Sequence, residues 1–365
     1  MAKTSKSIKK ATAPTGDGAT GSVELTSRFN GREKYEGDFE VIELGVDHFE
    51  AETLIGVYRK MLTSRRLDEK MLNLLKQGKG FFHIGCAGHE ATQAAIGLLS
   101  RPGKDWFSLY YRDMMMYLML GGDSNEVLLH HMAKASDPNS GGRQMAEHFG
   151  NRSRNILPIS SSVGAQFLPA VGAGLALQRD GITDAFVYCS CGDGATSQGD
   201  FHEALNWAAR EAAPVLFVVQ DNGYAISVPV RDQTAGGSAF KLARGYEGLA
   251  RIHVDGTNFF ETYSAAKMAI EHIKAGKGPV CLVADLVRLL PHSSSDNHSK
   301  YRTAEELEAD KREDPILQLE NRLKKEGLLS EDDVKRLRGE VQAEVDAAAV
   351  WADAQDDPDS STAMD

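Results

Sequence analysis

Two short runs, Gly192-Asp193-Gly194 and Asn222-Gly223-Tyr224, set an aspartate and an asparagine among glycines. Hard oxygen donors of this kind suit Mg2+, which takes a few protein oxygens together with phosphate oxygens and water. Glycines let the backbone approach a phosphate closely, and a helix that begins just beyond offers free N–H groups and the positive end of its dipole. The chemistry open to these residues is therefore to hold a magnesium-bound diphosphate. Alone, Gly-Asp-Gly reads as a turn. A helical stretch from about Asp200 separates the two runs, however, so both fall at the ends of adjacent strands, where open α/β sheets bind ligands. A dinucleotide fingerprint is the natural rival. It needs a third glycine where Ser197 stands, and Asp221 could serve as its ribose-binding acid, so this segment by itself leaves the rival open.

The elements that must position these runs alternate. Ala185 to Cys191, Pro214 to Gln220, Ala250 to Val254 and Pro279 to Ala284 are β-branched, apolar runs that read as buried strands. Helical patterns lie between them. This predicts an α/β fold, a parallel sheet with helices on both faces. Before it, Glu50 to Gly78 repeats apolar residues at helical spacing (Leu54, Val57, Met61, Leu62, Leu67, Met71, Leu74, Leu75). After about Asp296 only helices follow: Asp314-Pro315 caps one that ends at Gly327, and Ser330 with Asp333 opens a last one. Their stripes suit packing, a subunit interface being one use. The expected organisation is an arm over 1–49, partly disordered, a cofactor-binding α/β domain over 50–310, and C-terminal helices with a mobile acidic tail over 311–365.

The string Gly192-Asp193-Gly194-Ala195-Thr196-Ser197-Gln198-Gly199-Asp200-Phe201-His202-Glu203-Ala204-Leu205-Asn206, with Asn222-Gly223-Tyr224-Ala225-Ile226-Ser227, resembles the alpha subunits of thiamine-diphosphate-dependent 2-oxo acid dehydrogenases. The resemblance runs from roughly Glu50 to Arg302. It implies the thiamine-diphosphate-binding fold, with Asp193, Asn222 and the Tyr224 carbonyl as Mg2+ ligands and Gly192, Gly194 and Ala195 against the diphosphate. Tyr111-Arg112-Asp113 resembles the family's diphosphate-contacting pair; isolated, it would read as an ion pair at a helix start. Ser160 to Gln166 resembles the loop that cradles the aminopyrimidine, with Ser161 beside the cofactor and Val163 as the wedge that bends it. Pro291-His292-Ser293-Ser294-Ser295-Asp296 resembles the active-site loop, which makes His292 catalytic and cofactor-contacting and Arg288 a second phosphate ligand. Gly142 to His148 resembles the branched-chain form of its segment more than the pyruvate form. Three positions depart from the family: Asp221 for a second Asn, Ser162 and Ala146 for prolines. At Asp221 the departure should alter hydrogen bonding with little loss of metal.

The resemblance implies oxidative decarboxylation of a small branched-chain 2-oxo acid, with acyl transfer to a lipoyl group on an acyltransferase core. A pyruvate or acetoin enzyme is the near alternative; a non-catalytic scaffold or nucleotide binder of the same fold is the distant one. The glutamate that activates the cofactor ring comes, by the same resemblance, from a beta subunit in an alpha2-beta2 assembly. The tail also resembles a junction at which some relatives continue into a fused beta region. His83 and the pair His130-His131 show no convincing zinc spacing and read as structural or channel-lining. Gly88-His89-Glu90 matches a family segment, with no catalytic role expected of either side chain.

Bulk properties narrow the classes further. A net charge of -11 argues against a nucleic-acid binder, and no apolar run approaches the roughly 18 residues of a membrane span. The four cysteines, Cys86, Cys189, Cys191 and Cys281, form no Cys-x-x-Cys pair and suit reduced, buried thiols. Met1 to Lys10 carries four lysines without a signal-peptide apolar stretch, nor the arginines of a mitochondrial presequence. A cytoplasmic protein is expected, a mitochondrial matrix one if the source is eukaryotic.

Overall fold

Runs such as Val215–Asp221 are apolar at every position because both of their faces are covered, and this fixes the architecture. A computed structural model describes residues 38–362; most of the expected disordered arm therefore lies outside the described residues. In chain order the strands are β1 (Trp106–Ser108), β2 (Val187–Gly192), β3 (Val215–Asp221), β4 (Tyr224–Ala225), β5 (Val228–Pro229), β6 (Ala250–Asp255) and β7 (Val280–Asp285). Five form one parallel sheet in the order β1-β2-β3-β7-β6, and β4 with β5 makes a small antiparallel hairpin. The helices are α1 (Ala51–Lys76), α2 (Glu90–Leu99), α3 (Met114–Met119), α4 (Ser124–His131), α5 (Phe167–Arg179), α6 (Gly199–Glu211), α7 (Val230–Gln233), α8 (Ala239–Leu242), α9 (Phe259–Lys274), α10 (Ala304–Arg312), α11 (Pro315–Lys325) and α12 (Glu331–Asp353).

Strand residues alternate between two cores. Tyr188, Leu216, Val218, Ile252, Val254 and Leu282 pack against the layer that includes α1, α2, α9, α11 and α12. Val187, Cys189, Val215, Phe217, Val219, Cys281 and Val283 pack against α5, α6 and α8. The expected sheet with helices on both faces is thus present, and the four expected strands match β2, β3, β6 and β7 to within a residue or two at each end. The helix expected over Glu50 to Gly78 is α1, with Gly78 taking φ 73 just past its end.

Several expectations need correction. Strand β1 has three residues, too few for a periodic signal, and is held by β2 on one side. Its outer edge bonds to an irregular segment, with Phe107 N–H donating to Asn155 O (3.0 Å) and Leu157 N–H to Phe107 O (2.8 Å). The stripe of α12 (Val334, Leu337, Val341, Val345) is buried in this chain's own core against α1 and α4, not left for a subunit interface. Capping is as expected: Asp314 accepts from Ile316 N–H (2.9 Å), and Ser330 with Asp333 forms a capping box. The tail does not hang free over its described part. Ala135 N–H donates to Asp356 O (3.0 Å), Lys134 Nζ meets Asp357 (2.9 Å), and Arg143 Nη2 donates to Thr362 O (3.2 Å). At the other end the described part of the arm is also fixed. Phe49 packs on Phe259, Phe260 and Tyr263, and Asp38 caps the β6 edge, donating from its N–H to Arg251 O (2.9 Å) while its carboxylate accepts from Arg251 N–H (2.8 Å).

Candidate active site

Strands β2 and β3 end side by side, Gly192 opposite Gln220, and their carboxyl ends open onto a cavity of about 480 Å³. Its wall carries Tyr111, Arg112, Ser161, Val163, Gly192, Asp193, Gly194, Ala195, Asn222, Tyr224 and His292. Parallel strands aim their following loops at one edge, which is why segments so far apart in sequence converge there. Beyond Gly192 a 3-10 turn over Asp193–Ser197 leads into α6. A side chain on Gly194 would bring its Cβ to 2.8 Å from that of Ala225, so glycine is what lets the two strand-end loops close together. Asp221 accepts from Gly223 N–H (2.8 Å) and so closes a turn around Asn222.

Arg288 is absent from the wall. It stands behind it, with its Cζ 5.8 Å from the Tyr224 ring and its Nη2 donating to Ile226 O (3.0 Å) and Tyr301 Oη (2.7 Å). Its Nε and Nη1 have no hydrogen-bond acceptor, although the side chain is 1% exposed. Burial, then the Arg112 charge, holds its pKa below the ordinary value. Arg112 is also buried; its Nη1 donates to Gly85 O (2.6 Å), and its Nη2 lies 3.2 Å from His292 O and 3.3 Å from His292 Nδ1. Two buried guanidinium groups that repel each other, one with donors uncommitted, make a site whose missing charge is negative. Asp193 and Asn222, both buried on the same wall, add oxygen donors of the kind magnesium takes. The residues present therefore fit a magnesium-bound diphosphate.

His292 is held neutral. Burial, then Arg112 and Arg288, pulls its pKa down to about 4, and its backbone N–H donates to Asp296 (2.8 Å). Asp113 does not form the ion pair with Arg112 that the isolated triplet suggested. It sits beneath the strand ends, accepting from Gln220 Nε2 (2.7 Å), from the Ser190 hydroxyl and from Tyr110 N–H (3.3 Å). Burial lifts its pKa to about 7 against those donors.

Some site residues were named from the sequence without a role, or not named at all. His89 donates from Nδ1 to Gln220 Oε1 (2.9 Å), which leaves Nε2 to accept from Asn222 Nδ2 (3.3 Å) and so orients the asparagine. Burial and Arg112 drive its pKa down to about 3, consistent with that neutral tautomer. His148 likewise donates to Ala146 O (2.9 Å) and accepts from the Ser161 hydroxyl (3.0 Å). Phe82, Ile84, Met145 and Ile159 supply an apolar wall. His89 lay within a matched segment; the apolar wall carried no local signal at all.

Fold and cavity define a class, an open parallel α/β protein with an anion-suited pocket across the carboxyl edge of its sheet. The profile described as Dehydrogenase E1 component matches residues 58–361, and the chain belongs to that family. It is 40% identical to the 2-oxoisovalerate dehydrogenase subunit alpha of Bacillus subtilis, across 80% of this chain and 88% of the relative. It is 37% identical to the 3-methyl-2-oxobutanoate dehydrogenase subunit alpha of Mycobacterium tuberculosis, across 80% and 75%. A pyruvate dehydrogenase E1 component subunit alpha of Staphylococcus aureus is 32% identical across 83% and 78%. Members of the family depend on thiamine diphosphate, typically with Mg2+.

Proposed function

We propose that this chain is the cofactor-holding alpha subunit of a branched-chain 2-oxo acid dehydrogenase, working with a beta subunit as an alpha2-beta2 assembly and delivering acyl groups to a lipoylated core. The observation that carries the reading is the pair of buried guanidinium groups, Arg112 and Arg288, beside Asp193 and Asn222 at the strand ends. Tyr111 and Arg112 grip the diphosphate, Arg288 adds a second positive charge, and Gly192, Gly194 and Ala195 bring backbone against it. Asp193, Asn222 and the Tyr224 carbonyl hold Mg2+. Ser161 and Val163 flank the ring portion of the cofactor, Val163 standing 52% exposed as a wedge at the cavity wall. When bound, thiamine diphosphate supplies a carbon nucleophile toward the 2-oxo group and accepts the electrons left as carbon dioxide departs. His292, neutral and with its backbone N–H held by Asp296, holds or moves a proton at the substrate oxygen. An anion that offsets Arg112 and Arg288 raises its basicity toward the neutral range where such transfer is effective.

Two features support the partner. Among the residues lining the cavity there is no glutamate to activate a cofactor ring. Phe81, Met145, Val163, Ile226 and Val228 are large apolar side chains exposed on or next to its lining segments, a pattern that marks a covered surface. The two relatives whose names specify branched-chain substrates, together with the form of Gly142 to His148, favour a branched-chain substrate. A cytoplasmic location belongs to this reading, supported by the bacterial relatives; no described helix is long and apolar enough to cross a membrane. Calorimetric titration of thiamine diphosphate with Mg2+, with and without co-expressed beta subunit, tests the reading. Metal-dependent binding that strengthens with the partner and weakens at least about 100-fold in Asp193→Ala is expected. Binding indifferent to Asp193 would overturn the assignment.

A further inference from the structure

Behind the cavity wall, three segments bring His83, His131 and Glu147 together. Their ligand atoms all lie within 4.8 Å of one another, and the side chains are at most 2% exposed. His83 follows α1, His131 is the last residue of α4, and Glu147 holds a positive φ of 60 in the loop beyond. The sequence spacing gave no zinc pattern because the ligands come from three separate segments; the fold supplies the proximity. The neighbouring His130, its Nδ1 held by Asp137 (2.9 Å), is not one of the three.

The polar atoms of the cluster are poorly provided for. Glu147 Oε2 is buried without a hydrogen bond, and the buried His131 ring meets only the backbone of Met71, at the margin of hydrogen-bonding geometry. Buried groups in that condition call for a bound species. His83 Nδ1 lies 2.8 Å and His131 Nδ1 4.0 Å from Glu147 Oε1. Tetrahedral donors at about 2.0–2.1 Å from an ion stand roughly 3.3 Å apart, so shifts of under ~1 Å would seat one. On its far side His83 Nε2 meets Asp68 Oδ1 at 3.2 Å, and Asp68 is anchored by the N–H groups of Cys86 (2.9 Å) and Ala87 (2.8 Å). A carboxylate behind a ligating imidazole is the arrangement that fixes its tautomer. Close approach of Gly80 to His131, where a Cβ would fall 2.2 Å from Nε2, closes that side of the ring.

We propose that His83, His131 and Glu147 form a buried site for one Zn2+ ion, with Asp68 orienting His83. Two imidazole nitrogens and one carboxylate oxygen are borderline donors that suit zinc and discriminate against magnesium. Without an ion, Glu147 and Asp68 hold His83 toward its cationic form and are balanced by it; a divalent ion would take over that charge and displace the proton. The site is a brace. Phe82 and Ile84 flank His83, and Met145 and His148 lie either side of Glu147, all four on the cavity wall; His83 O accepts from Ser294 N–H (2.8 Å) in the loop that carries His292.

The test needs no thiamine diphosphate and is independent of the proposed activity. The full-length, tag-free chain is stripped with chelator, then titrated with Zn2+ and separately with Co2+, in wild-type and Asp193→Ala backgrounds so that the oxygen-donor site is silent. One equivalent per chain is expected in both backgrounds, with Co2+ giving visible d–d bands, a raised thermal midpoint, and no displacement by excess Mg2+. His131→Asn and Glu147→Gln should weaken binding at least about 100-fold, and Asp68→Asn about 10-fold. Well under one equivalent in the wild type, or unchanged affinity in folded His131→Asn and Glu147→Gln, would overturn the proposal. Should those variants fail to fold, wild-type chain showing neither Co2+ bands nor a metal-dependent thermal midpoint would overturn it equally.

Discussion

His292 illustrates how single residues are tuned by what surrounds them. Its imidazole is pulled down to about 4 by burial, Arg112 and Arg288, against roughly 6.5 in an unfolded chain. Because the folded-state value is the lower one, the neutral ring contributes stability in full above about 6.5. That contribution is lost as pH falls toward 4, since the unfolded chain takes up the proton first. Cofactor-free His292→Gln should therefore lose less stability than the wild type between those values, as read by urea melts across the range; parallel pH profiles would refute it. Much of the site at this scale is legible from sequence, since Asp193, Asn222, Arg112 and His292 lie in segments with distinctive neighbours, and all four line one cavity. Arg288 was legible as a charge but not as a position, because only the packing of Tyr224 and Tyr301 puts it behind the wall. His89 and His148 were named without roles, since each meets a site partner more than ten residues away, Gln220 for His89 and Ser161 for His148.

Elements are joined by a few contacts that tolerate no substitution. Gly88, at φ +100, lies so close to the chain after β7 that a Cβ would fall 2.1 Å from Val287 O. Its N–H donates to Glu90 Oε2 (2.7 Å), and Glu90 pairs with Arg65 (2.7 Å), which reaches Asp314 (2.8 Å). One turn thus sets α2 against β7 while its ion pairs reach α1 and α11. Gly88→Ala combines overpacking with an unfavourable φ and should cost at least about 2–3 kcal/mol, measured by chemical denaturation; a loss below about 1 kcal/mol would contradict the packing. At this scale the sequence reveals strands buried on both faces and helices with continuous stripes. It hides β1, whose three residues carry no period, and β4 with β5, which are shorter still.

For the whole molecule, continuity of the core across the described residues is the main feature. The core that holds the sheet also holds α11 and α12, so the C-terminal helices are no separable appendage, and the acidic tail is tied to the loop after α4. Those long-range contacts follow from where the chain returns in space, which local composition does not encode. The sheet's two outer strands, finally, are both occupied: β1 by the segment around Asn155 to Leu157, and β6 by Asp38. A bare strand edge is a template on which another copy can add itself, and aggregation starts there. Asp38 thus acts as a guard against polymerisation. A chain lacking residues 1–40 should keep its sheet but gain a concentration-dependent rise in light scattering, whereas a monodisperse truncated chain would show that the guard lies elsewhere.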